Sequence, residues 1–175
     1  FNGTQIDLAN ELNTYIPQTA ELYGVANLSE VAILVRNNRS LGYLTTGLNI
    51  PHRVYSDDSL GLINTRASNL FSDLLKYRYD PAFLTTDIDA VREYERICTR
   101  AQLTRVRAGI QLVRTIDDEY LEESILGVSE ELLGGNVSSR DTSALNEVVN
   151  STEALNQYAP GNDTEIQVMT LHKSK

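Results

Sequence analysis

Ile6, Ala9, Leu12 and Ile16 recur at the spacing of one helix face, which predicts an amphipathic helix over 5–16. Pro17 is expected to stop it, because proline brings no N–H to the helical ladder. The pattern changes at VAILVR, Val31 to Arg36, an apolar run without alternation. Such a run predicts a short strand buried on both faces, the habit of parallel sheets. A polar turn and a short helix ending near Gly47 are expected over 37–48, and Pro51 leads into a second strand, HRVYS.

From Ser56 to about Gly161 the period becomes helical. Ile63, Ala67, Leu70, Phe71, Leu74 and Leu75 follow a 3.6-residue repeat that Asp80-Pro81 should end. Thr86 or Asp87 is expected to cap a following helix, and Thr115 to begin another that ends at Gly134-Gly135. Ser143 is expected to cap one carrying Leu145, Val148, Val149 and Leu155. Strand character returns only at EIQVMTLH. The expected class is therefore α/β, with a parallel-sheet part at 1–55 and 161–175 and a mostly helical insertion at 56–160.

Five arginines, Arg92, Arg96, Arg100, Arg107 and Arg114, would form one stripe if 92–114 were a single helix. The apolar residues argue against that, because Tyr94, Ile97, Cys98 and Ala101 lie on a different face from Leu103, Val106, Ile110 and Val113. Two helices with a break near Gln102–Thr104 are expected, with most of the arginines on a solvated face paired to acids such as Glu93, Glu95 and Asp117. Arg100 and Arg107 remain candidate DNA contacts.

Composition narrows the chemistry. The net charge of −9 speaks against a protein that coats DNA, whose affinity would come from many lysines and arginines, so any nucleic-acid contact must be local. Two histidines and one cysteine supply neither a zinc cluster of usual spacing nor an internal disulfide, and no metal site is expected. No signal peptide or bilayer-length apolar run is visible, so the expected compartment is the cytoplasm and no membrane partner is expected. The chain has no GxxxxGK[ST], GxSxG or GxGxxG, and so no phosphate loop of its own.

Two places remain for function. Arg36 ends the first strand, and ligands of open parallel sheets bind beyond the carboxyl ends of the strands. An arginine there suits a phosphate across a cleft, although an ordinary surface ion pair fits the position as well. Thr170 and His172 end the last strand on one face, with Lys173 and Lys175 beyond them. That group can donate to a nucleic-acid backbone, or it can be a strand end with a basic tail.

Taken together, VAILVRNN, NIPHRVYS, a helical insertion and QVMTLHKSK resemble the second RecA-like domain of the UvrD/Rep superfamily 1 DNA helicases, including the RecB and AddA branch. VAILVRNN resembles motif IV and VMTLHKSK motif V, which in the family continues into Gly-Leu-Glu-Phe. The insertion corresponds in position to the accessory domain called 2B. The resemblance implies a piece of a longer ATP-dependent DNA helicase, moving 3′ to 5′ and using ATP with Mg²⁺, whose boundary falls near Lys175. It implies that Arg36 touches the γ-phosphate of ATP held mainly by a first motor domain outside this chain. It also implies that Thr170, His172, Lys173 and Lys175 contact single-stranded DNA, with duplex junctions and the remaining helicase domains as partners. Many members carry an aromatic residue before the motif IV arginine, where this chain has Val35. The chain alone is expected to be inactive. A catalytically inactive helicase-like scaffold, or a small-molecule-binding α/β domain in which Arg36 holds a ligand anion, are the other readings.

Overall fold

The computed structural model describes residues 5–56 and 58–171. The described residues up to Ser56 and from Gly161 onward pack as one compact unit, and those from Asp58 to Pro160 as a second.

In the first unit a long helix, α1 (Gln5–Leu22), precedes a sheet strand, β1 (Ala32–Val35). Then come α2 (Asn38–Gly47) and β2 (His52–Tyr55), and after the helical unit β3 (Ile166–Thr170). The three strands are parallel in the order β1-β3-β2, so the strand that comes last in sequence takes the centre. The expected α/β class with a parallel sheet is observed. One face of the sheet is covered: Ile166 and Val168 join Ala9 and Ile16 of α1, Leu41 and Leu44 of α2, and Leu48 in a single core.

Two expectations fail here, for different reasons. α1 does not stop at Pro17 but runs through it to Leu22. Proline deprives the Asn13 carbonyl of its helical donor. Ile16 and Ala20, on either side of Pro17, are both buried, so packing carries the helix on. The Asn13 side chain also ties α1 to the end of α2, donating to the Gly47 carbonyl at 2.9 Å and accepting from the Asn49 N–H at 2.7 Å. The second failure is at β1, which is not buried on both faces. It is an edge strand whose Ala32 and Leu34 are exposed, Leu34 to 49%. An apolar run tells which residues avoid water, not whether the chain supplies a layer for each face.

The second unit is helical, and its elements in chain order are α3 (Ser59–Ile63), α4 (Arg66–Tyr79), α5 (Asp89–Glu95), α6 (Arg100–Thr115), α7 (Leu121–Leu133), α8 (Ser139–Val149) and α9 (Thr152–Asn156). α4 lies at its middle, with Leu70, Phe71, Leu74 and Leu75 almost fully buried among Ile110 and Val113 of α6, Ile125 of α7 and Leu145 of α8. The expected end at Asp80 is observed.

Ile63 belongs to a separate helix, cut off by Asn64 in the left-handed conformation at φ 51°. The helix after it begins with a reciprocal cap: the Thr65 side chain accepts from the Ser68 N–H, and the Ser68 hydroxyl takes the Thr65 N–H. The same device moves other boundaries. α6 starts at Arg100 behind Thr99 and Gln102, so the break in the arginine stretch falls at 96–99 and not at Gln102–Thr104. Thr115 closes that helix instead of opening the next, its hydroxyl turned back toward the Leu112 carbonyl. α8 starts behind Ser138 and Asp141, leaving Ser143 inside it and Leu155 on α9. Asp87 does not cap α5 but receives the Leu84 N–H in the turn before it. No helix among the described residues is long and apolar enough to cross a membrane.

Candidate functional site

The carboxyl ends of the three strands lie side by side, because all three are parallel. β1 delivers Arg36, β3 delivers Thr170 and Leu171, and β2 delivers Ser56. Val35 pairs in register with Thr170, and the Leu171 N–H donates to the Val35 carbonyl at 3.0 Å. Two segments more than a hundred residues apart therefore end as neighbours.

Arg36 is exposed, and no carboxylate among the described residues pairs with it. The chain then turns directly into α2. Asn37 caps that helix, its Oδ1 accepting the Ser40 N–H at 2.9 Å, and Arg39 in the first turn stands over the Tyr43 ring at 5.7 Å from its centroid. From Val31 to Ser56 the sequence holds three arginines and no acid. The one acid-paired member, Arg53, is bound to Glu165, which precedes β3 at the other end of the sheet. Acids such as Glu30 and Glu165 lie where strands begin, and the unpaired arginines where β1 ends. With the positive end of α2 beside Arg36, the end of β1 has a local positive character that suits an anion, although β2 runs at its own carboxyl end into Asp57 and Asp58 in the sequence. Arg39 and Asn37 were absent from the sequence expectations, although Asn37 three residues before Ser40 carries the capping signal that could have found them.

Thr170 is placed differently from its neighbours. Its side chain shares the covered face of β3 with Ile166 and Val168 and is 2% exposed, and its Oγ1 has no hydrogen-bond partner among the described residues. A buried hydroxyl left unpaired is unfavourable by about 1–3 kcal/mol, so this is an unsatisfied donor held at the strand end. His172, Lys173 and Lys175 lie outside the described residues.

In the helical unit the arginine stripe breaks up. Arg92 is paired with Asp89, and Arg107 bonds Glu95 at 2.6 Å. Arg114 is half-buried, donating to the carbonyls of Tyr77 and Phe83 at 2.9 Å each and lying 3.9 Å from the centre of the Tyr77 ring. It closes the end of α4 and takes none of the expected charge from Asp117. Arg96 and Arg100 remain exposed without a carboxylate partner among the described residues, on the α5–α6 turn beside Ile97, which is 84% exposed. Arg96 and Ile97 were not among the expected site residues. In a unit with eighteen acids against ten basic residues over 57–160, Arg96 and Arg100 are, like the exposed Arg105 and Arg140, local cations.

Among the described residues no set of histidine, cysteine and acid side chains is arranged to hold a metal ion. Comparison of the sequence with protein-family models and with curated proteins finds no match.

Proposed function

We propose that the chain forms part of the second, RecA-like motor domain of an ATP-dependent DNA helicase, together with a 2B-like helical insertion. The observation that carries this reading is the pairing of Ala32–Val35, within VAILVRNN, with Gln167–Thr170, at the head of QVMTLHKSK, as adjacent parallel strands, with Arg36 at their shared end unpaired with any carboxylate among the described residues. A motor of this kind needs a nucleotide sensor and a DNA contact close enough for one to move the other.

In that role Arg36 reaches across a cleft to the γ-phosphate of ATP bound mainly by another domain. Its fixed charge neutralises oxygens that gain negative charge as the phosphoryl group leaves. Binding and release of that phosphate then draw β1 toward the cleft or let it go. β1 is hydrogen-bonded to β3, so the displacement passes to Thr170 and Leu171 without a separate lever. His172, Lys173 and Lys175 follow directly in the chain and are assigned to the single strand's phosphates, contacts that hold the strand without reading its bases. Mg²⁺ accompanies ATP, but no described residues of this chain fit it and no step is assigned to the metal. Arg100, together with Arg96, is the better candidate for contact with a duplex junction, since Arg107 is already occupied by Glu95.

Steady-state ATPase kinetics of the full-length protein test this reading. Arg36→Ala should lower kcat at least about 100-fold with single-strand affinity changed less than threefold, the mark of an interaction made in the transition state. Arg36→Lys should recover only part of the loss. Unchanged ATP-driven unwinding in Arg36→Ala would refute the assignment, and a full-length protein without ATPase activity would favour the scaffold.

A further inference from the structure

The chain enters the helical unit once and leaves it once, and side chains from the two crossings meet. At the entry, Asp58 caps α3, its Oδ1 accepting the Gly61 N–H at 2.8 Å. Its other oxygen, Oδ2, accepts the phenolic hydrogen of Tyr158, which stands just before the exit. Tyr158 is 8% exposed, and the Ser72 hydroxyl of α4 lies 3.5 Å from its oxygen. Beside Asp58, the Ser59 hydroxyl donates to Glu147 on α8. Burial first, then the charge of Asp58 and the hydrogen bond to it, push the Tyr158 phenol well above its ordinary range, so it remains a donor at neutral pH.

We infer that Tyr158 and Asp58 form a clasp that closes the neck of the helical insertion, holding its entry and exit together so that the insertion moves as one body. An insertion joined by two connections can fray from either one, because each end is a chain terminus as far as local unfolding is concerned. Joining residue 58 to residue 158 removes that freedom at both ends with one bond. Its chemistry suits a clasp, since the acceptor is a carboxylate, which makes the bond roughly twice as strong as a neutral pair, and the tyrosine side is shielded from water. The inference stands apart from the helicase reading, since it concerns only how the helical unit is closed.

Hydrogen exchange followed by mass spectrometry on the purified chain tests it. Tyr158→Phe keeps the ring and removes only the hydroxyl. Amides of α3 and of 152–160 should exchange about tenfold faster, while those in the middle of α6 and α7 quicken by no more than about threefold, the part of the loss that reaches the whole unit. Asp58→Asn keeps an α3 cap, and combined with Tyr158→Phe it should add less than twofold to the effect at the neck, because the two residues act through each other. Neck amides that change less than twofold in Tyr158→Phe would overturn the clasp. Acceleration spread evenly over the unit, or a double variant much faster than Tyr158→Phe, would overturn it too.

Discussion

At the scale of single residues, two buried polar side chains, Asp141 and Thr170, are satisfied to opposite degrees. Asp141 is 3% exposed yet ionised, because its carboxylate receives the hydroxyls of Thr65 and Ser138 and the Ser138 N–H. Burial alone would raise its pKa. The hydrogen bonds from Ser138 and Thr65 outweigh burial and hold the carboxyl below its usual range. A depressed carboxylate stabilises the fold above its unfolded value of 3.8, and that contribution disappears as pH falls through the lower, folded value. Asp141→Ala should destabilise the helical unit by roughly 2–3 kcal/mol at neutral pH, by removing a cap and leaving donors unpaired, and should flatten the acid limb of a urea-midpoint profile. Thr170 is the opposite case: its buried hydroxyl bonds nothing described. Thr170→Val should therefore leave the fold unchanged or steadier by about 1 kcal/mol, while lowering DNA-stimulated ATPase in the full-length protein. A loss of stability on that substitution would mean that the hydroxyl is already bonded within the fold.

At the scale of elements, what could be read in advance was periodicity, and what escaped was competition between local signals. β3 and α4 from Ala67 onward are where their apolar patterns place them, because burial and pattern agree there, and β2 also forms where expected. Where several hydroxyl or acidic residues stand close together, each is a plausible cap and the helix start is ambiguous in the sequence. The reciprocal partner three residues on decides between them: Ser138 with Asp141 excludes Ser143, and Thr99 with Gln102 fixes the start of α6. Pro17 gave a true local signal that tertiary packing overrode. Replacing it tests that account: Pro17→Ala restores a donor for the Asn13 carbonyl and should raise the stability of the sheet unit by about 1–3 kcal/mol, read as a higher urea midpoint. A second element-level constraint is invisible in any propensity. A Cβ on Gly109 of α6 would come within 2.9 Å of Val128 Cγ2 on α7, so Gly109→Ala should destabilise the helical unit despite its better helix propensity. The site was legible to the same degree. The end of an apolar run marked Arg36, but which face of β3 Thr170 occupies depends on where α2 packs, and a period of two assigns both faces equally.

At the scale of the molecule, the two units carry separate cores. The sheet unit's core is small and one-sided, whereas the helical unit buries Phe71, Ile110, Ile125 and Leu145 completely. Two tyrosines of the helical unit resist ionisation. Tyr158 is raised by burial and Asp58, and Tyr94 by burial and its hydrogen bond to Glu131. For a group whose folded pKa lies above the unfolded value of 10.0, the added stability is complete below that pH and is lost as pH rises toward the folded value. Between about pH 10 and 12 the helical unit should therefore lose stability. Tyr158→Phe should begin less stable at pH 8 and decline less steeply across that range, its profile converging on the wild type as the wild-type phenol is drawn toward ionisation. The measurement is a series of urea titrations followed by circular dichroism, with exchange of α4 amides reporting on the helical unit alone. Parallel profiles for wild type and variant would mean that the Tyr158 phenol is not held neutral by the fold, and a variant as stable as the wild type at pH 8 would mean that its bond to Asp58 contributes nothing to the unit it closes.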